Sequence, residues 1–387
     1  MPSLTRSPRV LIITGEASGD LHGANLAIAL KALAPDVSVL GVGGARMQAA
    51  GVDLVQGIGH LDVIGIIGPS AVRALVQRVL SLRRFLRREP LDLVVLIDHP
   101  GLNFHFARIA KQAGRRVVYY IAPQIWAWRP RRMRWMQRRV DHVVVILPFE
   151  EDLYRRADVP CTFVGHPLLD EMTPSYDRDR IRSTYGVPRD ARVIGLLPGS
   201  RRGEIRALLP VMLEGVRLLQ RDSGLLKVIL AVADTVDQGE IKRRCDEAGL
   251  DVRLVSRDPN GVMAAADLLF AASGTATLQA AIIGTPMVIV YKMPWLIYLI
   301  ARLLVRVRSI GLANIVAGRA FLPELIQHQA TPARLAAEAR RILEDTPYRE
   351  GMKAEMARVR TLLGTPGASK RAAAVVLEQL RREEARV

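Results

Sequence analysis

The chain has 387 residues, half of them apolar, with 30 Gly, 22 Pro and two Cys, a composition that excludes a disordered or collagen-like polymer. Cys161 and Cys245 lie far apart with no second ligand at metal spacing, which excludes a disulfide framework and a zinc site and fits a reducing compartment. A formal charge of +17, from 55 Lys and Arg against 38 Asp and Glu, predicts attraction to nucleic acid, anionic lipid or a phosphorylated substrate; aromatics at 5% and the lack of any RRM, KH or zinc-finger pattern argue against nucleic acid.

At the amino end, Arg6 and Arg9 precede only the short run VLIIT, which GEASGD interrupts. No signal-peptide core is expected, and the reading is cytosolic. RVLIITG is a buried β-run ending in glycine, LHGANLAIALKALA has helical spacing, and VSVLGVGG is the next strand. A basic helix over Val72–Arg88 leads to LDLVVLID, a central parallel strand by its continuous Leu and β-branched content. RRVVYYIAP and DHVVVILP extend the series. Helix-length intervals between strands call for βαβ crossovers.

After a polar interval around Pro167–Pro188, a second series begins near Val193: RVIGLLPGS, LKVILAVAD, VRLVS, LLFAASG and PMVIVYK. The expected fold class is α/β, with two doubly wound, Rossmann-like domains facing a cleft. The expected domains are residues 1–170 at the amino end and 171–345 at the carboxyl end. Residues 346–387 are helices packing back on the first. Trp295–Leu304 is apolar over only about half of the ~20 residues a spanning helix needs, and Arg302 interrupts it; an interfacial amphipathic helix and a core helix both fit.

Ligands in such sheets bind beyond the carboxyl ends of strands, so the loops there carry the chemistry. TGEASGDLHG (Thr14–Gly23) follows a strand and opens a helix, with Glu16 on the turn and Ser18 or Asp20 as helix caps. It is neither a P-loop nor a dinucleotide fingerprint. In IDHPGLNFHFA, Asp98 ends a buried strand, where it can take a proton from a substrate hydroxyl; His99 and His105 are rival bases, and an N-cap role is the structural alternative. YYIAPQIWAWRPRRMRWM sets Trp126, Trp128 and Trp135 among Arg129, Arg131, Arg132 and Arg134, a pattern suited to sugar stacking, phosphate contact or membrane-interface anchoring. In LLPGSRRGEI, Gly199 gives access, Ser200 a hydrogen bond and Arg201 a cationic fork, with a helix starting near Glu204. In ASGTATLQ, Ser273, Gly274 and Thr275 offer backbone N–H groups at a helix start. Two phosphate-ready turns in one domain indicate a nucleotide-diphosphate site.

GEASGDLHGANL, GVGGARMQAAGV, IDHPGLNF, IAPQIWAWR, LPFEEDLYRRADVPCTFVGHPLLDE, LPGSRRGEI, ASGTATL and GLANIVAGRAFLPELIQ, in this order over nearly the whole chain, resemble the lipid A disaccharide synthases. The resemblance implies a GT-B fold and inverting transfer of 2,3-diacylglucosamine from UDP to the 6-hydroxyl of 2,3-diacylglucosamine 1-phosphate, giving a β-1,6 disaccharide and UDP. It implies a peripheral, often dimeric protein on the cytoplasmic face of the inner membrane, with no cofactor and no metal. Asp98 is then the general base, with Glu16 or His99 as alternatives. Arg201 and Ser273–Thr275 hold the diphosphate, and Glu204, Gln279 and Asn314 belong to the donor side. Ser18, Asp20, Trp126, Trp128 and Arg129 belong to the acceptor side, as does an apolar patch beginning at Ile64 and Gly65. Four positions depart from the family pattern: Gly101 and Gly68 replace acids, Gln279 replaces a glutamate expected to hold ribose hydroxyls, and Ala313 replaces a proline. A UDP-sugar transferase or epimerase with another acceptor, and a weakened UDP- or lipid-binding paralogue, are the alternatives these departures motivate.

Overall fold

The computed structural model describes residues 7–56, 58, 69–124, 133–220, 226–295, 298–299 and 309–384. The chain divides into two compact units, Met1–Glu171 with Leu363–Val387, and Met172–Leu362.

In the first unit, seven parallel strands run in the order β3-β2-β1-β4-β5-β6-β7. They are β1 (Arg9–Ile13), β2 (Ser38–Val42), β3 (Asp53–Leu54), β4 (Leu93–Ile97), β5 (Arg116–Tyr120), β6 (His142–Val145) and β7 (Cys161–Phe163). Alternation along each strand builds two cores, one on each face of the sheet. Leu11, Ile13, Val94, Leu96 and Tyr119 point to one, with Phe106 and Ile109 of the helix Pro100–Gln112. Val10, Ile12, Leu93, Val95, Ile97 and Tyr120 point to the other. Every residue of β4 is buried, which is why its sequence reads as an unbroken apolar run.

The second core is closed by the last helix, Ala368–Glu384, through Ala372, Val376 and Leu380 at four-residue spacing. The segment VGHPLLDE anchors this returning helix. His166 donates its backbone N–H to Leu363 O at 2.9 Å, Arg371 Nε donates to Val164 O at 2.8 Å, and Asp170 accepts the N–H groups of Gly367 and Ser369. Arg116 reaches across to Gln379 Oε1 at 2.8 Å. The preceding helix, Thr346–Leu362, belongs to the second unit, so the expected return of the carboxyl-terminal helices concerns the last one alone.

The second unit has six parallel strands in the order β10-β9-β8-β11-β12-β13: β8 (Arg192–Leu197), β9 (Leu226–Val232), β10 (Val252–Ser256), β11 (Leu268–Ala272), β12 (Met287–Tyr291) and β13 (Glu324–Ile326). Both units are doubly wound α/β, as the strand spacing predicts. The order reverses between β1 and β4 in the first unit and between β8 and β11 in the second. These two switch points are where the carboxyl ends of strands leave a crevice. β3, β7 and β13, of two or three residues each, were not anticipated; edge strands this short carry no periodicity to read. No helix among the described residues is long and apolar enough to cross a membrane, and most of Trp295–Leu304 lies outside those residues.

Candidate active site

At the switch point of the first unit, the turn after β1 leads into the helix Ala17–Leu33 with Glu16 as its N-cap residue. Glu16 makes no side-chain cap bond, and neither Ser18 nor Asp20 caps this helix as expected. Ser18 is exposed. Asp20 is buried and reaches another helix instead: its carboxylate accepts the N–H groups of Gly44 (2.7 Å), Arg46 (3.1 Å) and Met47 (3.2 Å) at the start of Ala45–Ala49. Both oxygens are engaged in holding that helix, so Asp20 shapes the loop and is not presented to an acceptor.

The adjacent turn, after β4, holds two consecutive non-glycine residues in the left-handed region, Asp98 (φ 47°) and His99 (φ 44°). Such conformers cost roughly 1–3 kcal/mol each and persist only when the surroundings enforce them. Here the enforcement is visible. The Asp98 carbonyl accepts from Asn103 Nδ2 and from the Tyr119 hydroxyl, each at 2.7 Å. Asn103 also donates to Ile97 O at 3.0 Å, and Asp98 N–H donates to Tyr120 O at 3.2 Å. Asn103 and Tyr119 therefore set the backbone that aims Asp98. Sequence reasoning assigned neither a role, although Asn103 lies inside the quoted IDHPGLNF motif.

His99 is the N-cap residue of Pro100–Gln112, without a side-chain cap bond, so the alternative of Asp98 as N-cap does not apply. The His99 side chain packs against Gly15: a Cβ there would lie 2.6 Å from His99 Cγ. Only glycine at position 15 lets the β1 and β4 turns close on each other. His99 Nδ1 is buried without a partner. Burial raises the Asp98 carboxyl above the usual carboxylate range; the His99 backbone N–H opposes this, the nearby charge of Glu16 adds to it, and the charge of His99 lowers it. A half-buried carboxylate made more basic in this way suits proton abstraction from a hydroxyl.

The second switch point is open. A cavity of about 640 Å³ lies beyond the carboxyl ends of β8, β9 and β11. Gly199, Ser200, Arg201 and Glu204 line it from the β8 turn, and Ser273, Gly274, Thr275 and Gln279 from the β11 turn, so the structure brings both predicted phosphate turns to one place. Gly199 has φ +108° and a Cβ there would lie 2.5 Å from Glu204 Oε2, so only glycine lets the loop bend over that carboxylate. The Arg201 side chain is 74% exposed and tethered to Glu204 Oε1 at 3.2 Å, which leaves it at the cavity's solvent-facing edge. Gly274 is the N-cap of Thr275–Ile283 with no side-chain cap, and Gly274 and Thr275 are exposed. The helix's first N–H groups and its positive end thus face the cavity.

The Ser273 hydroxyl is used within the fold, donating to Ile310 O at 2.9 Å. Asn314 is likewise occupied and buried. Its Nδ2 donates to Leu322 O and Glu324 Oε1, and its Oδ1 accepts from Phe321 and Leu322 N–H. Glu324 in turn accepts from Ile310 and Gly311 N–H at 2.9 and 3.0 Å. Asn314 therefore supports the Ile310 turn under Ser273 and is not among the residues lining the cavity, contrary to the expectation of a donor contact. Gln279 lines the cavity and donates to Asn260 Oδ1 at 3.3 Å. Asp234 and Arg257, paired at 3.2 Å, line it as well; neither was anticipated, because nothing in their local sequence marks them. Ile64, Gly65, Gly68, Trp126, Trp128 and Arg129 lie outside the described residues. No three His, Cys, Asp or Glu side chains gather at metal-binding distance among the described residues.

Comparison with known proteins fits this geometry. The family model described as lipid-A-disaccharide synthetase matches residues 10–378. A lipid-A-disaccharide synthase of Geobacter sulfurreducens is 43% identical over 375 residues, covering 97% of this chain and 98% of the relative. Among solved structures, a UDP-N-acetylglucosamine 2-epimerase from Listeria monocytogenes, described as putative, superposes with a TM-score of 0.67 at 15% identity, covering 98% of each chain. MurG from Acinetobacter baumannii does so with a TM-score of 0.58 at 15% identity, covering 96% of this chain and 99% of its own. The structural likenesses establish the two-Rossmann-unit fold alone; the sequence relationship is far closer, and by it the chain belongs to the lipid-A-disaccharide synthetase family.

Proposed function

We propose that the protein is an inverting glycosyltransferase that condenses UDP-2,3-diacylglucosamine with 2,3-diacylglucosamine 1-phosphate to give the β-1,6-linked disaccharide 1-phosphate and UDP. Family membership along almost the entire chain is the observation that carries this reading. The relation to epimerases is one of fold only.

The chain's own residues supply what the reaction needs. Asp98 takes the proton from the acceptor's 6-hydroxyl as that oxygen bonds to the anomeric carbon. The bond from the anomeric carbon to the β-phosphate oxygen breaks on the other side, and its electron pair leaves with UDP. Arg201 and the amino end of Thr275–Ile283 stabilise the charge that grows on that phosphate, a task a cation performs in other transferases. Asn103, Tyr119 and the His99–Gly15 contact hold Asp98 in place, and Asn314 and Glu324 do the same for the Ser273 turn. Glu16, close enough to act on Asp98 through its charge, keeps the base basic. Gln279 bonds a ribose hydroxyl without the charge of the family's glutamate.

The acceptor's acyl chains and the net charge of +17 support an anionic membrane surface as the enzyme's working location. The helix Pro69–Arg88 supports that placement, with exposed Val76 and Leu80 beside a run of arginines, as does Trp295, 70% exposed. Sedimentation with phosphatidylglycerol vesicles at low salt should exceed that with phosphatidylcholine; equal sedimentation refutes the membrane part. The reaction itself is tested by incubating the purified protein with both substrates in EDTA. Disaccharide and UDP in equal amounts are expected. UDP release without disaccharide, or conversion of UDP-N-acetylglucosamine alone, contradicts the proposal.

A further inference from the structure

The second unit carries another cavity, about 690 Å³, at the amino ends of its strands, opposite the ends that face the donor pocket. Its walls include Arg192, the first residue of β8, and Asp267, which directly precedes β11. Strands of five or six residues rise roughly 3.3 Å per residue, so about 17–20 Å of sheet separates this cavity from the donor pocket. A diphosphate reacting at one cannot reach the other.

The lining is strongly cationic. Arg178, Arg192, Arg349, Lys353 and Arg360 face Asp267 as the lone carboxylate of the wall. Asp267 is already shared between Arg178 and Arg182 and accepts the Val193 N–H at 2.8 Å. Burial pushes its pKa up, but that N–H and the two guanidiniums outweigh burial and hold it below the usual range. Glu350, beside the cavity, lies 3.1 Å from Lys353 and 3.6 Å from Arg349 and serves both. Arg360 bonds carbonyls among the described residues, those of Ile282 and Pro174. Among the described residues neither Arg360 nor Arg192 has a carboxylate in ion-pair range. Cations crowded on a concave wall repel one another unless an anion joins them. Arg360 also sits on the carbonyl end of Thr275–Ile283, masking the negative helix terminus that would otherwise repel that anion.

We propose that this cavity is a second anion site, separate from the donor pocket, which binds a phosphate-bearing group. Several guanidinium forks around one space match the two or more charges and the tetrahedral oxygens of a phosphate ester or diphosphate better than a single carboxylate would. The phosphate is either that of a lipid headgroup or that of a soluble ligand.

Calorimetric titration of the full-length protein with inorganic pyrophosphate tests this. On an Arg201→Ala background, which weakens the donor pocket, saturable binding that depends on Arg192 should persist. Adding Arg192→Gln should weaken it about tenfold, adding Arg192→Lys should weaken it less, and the melting temperature should not change. Loss of all pyrophosphate binding in Arg201→Ala overturns the proposal, and so does equal binding with and without Arg192→Gln. Displacement of pyrophosphate by vesicles containing phosphatidic acid, a phosphate monoester, but not by phosphatidylcholine vesicles, identifies a lipid source. Binding that needs Arg192 and resists both kinds of vesicle identifies a soluble one.

Discussion

The two units share one topology, yet their switch points are built oppositely. In the first, the crevice between the β1 and β4 turns is filled by the His99 ring lying on Gly15, and the backbone is forced into left-handed geometry and fixed by Asn103 and Tyr119. What remains is the half-buried Asp98 carboxylate with a raised pKa, beside the charge of Glu16. In the second, glycines and a bare helix start leave about 640 Å³ of space edged by a mostly exposed arginine. A packed switch point tunes the basicity of a single group; an open one offers many weak donors to a large anion. In the proposed reading, the same fold thus provides a place for a proton and a place for a diphosphate.

The largest expected effect comes from removing the proton acceptor. Asp98→Asn should lower kcat by roughly 10²–10⁴, the usual contribution of general-base catalysis, with UDP affinity unchanged. The wild-type rate should fall as pH drops through the raised Asp98 pKa, since the base must be ionised; a flat profile down to the ordinary carboxylate range would separate Asp98 from the rate.

The first unit should also be the more acid-sensitive. Burial lowers the pKa of His22 and of His166 to about 4, below the unfolded value near 6.5. The unfolded chain then takes up protons the folded chain refuses. The stability these groups contribute is complete above pH 6.5 and is lost as pH falls toward 4, by as much as roughly 3 kcal/mol for each histidine. Denaturant titrations at pH 7 and pH 5 measure this, and His22→Gln should flatten the difference.

Asn103→Ala should cost about 2 kcal/mol in stability by leaving the Ile97 and Asp98 carbonyls short of a donor, and should lower kcat with KM nearly constant. Loss of stability with unchanged kcat would mean that the left-handed turn does not aim Asp98. In the open switch point, Arg201→Ala should weaken UDP binding by about 2 kcal/mol, some thirtyfold. The smallest effect is a gain: Gln279→Glu should tighten UDP by about 1 kcal/mol if a charged acceptor bonds the ribose better than the amide does.

Much of this was legible in the sequence. The long apolar runs of β1, β4, β8 and β11, with a glycine or an acid just beyond, marked both sheets and both switch points, because buried parallel strands cannot hide their composition. Gly199–Arg201 and Ser273–Thr275 converged as their chemistry suggested. The misreadings concern polar residues whose partners are distant in sequence. Asp20 reads in sequence as a cap of its own helix but caps one that starts 25 residues later, at Ala45. Asn314 reads as a ligand contact by its resemblance, yet its amide is saturated by the loop around Leu322 and Glu324. Local sequence shows that a polar side chain exists; only the fold shows which backbone groups compete for it.

The division of labour between the switch points is tested most directly by calorimetric titration of UDP into wild type, Asp98→Asn and Arg201→Ala. The account predicts equal affinities for wild type and Asp98→Asn and about thirtyfold weaker binding for Arg201→Ala. Weakened UDP binding in Asp98→Asn, or undiminished binding in Arg201→Ala, would contradict it.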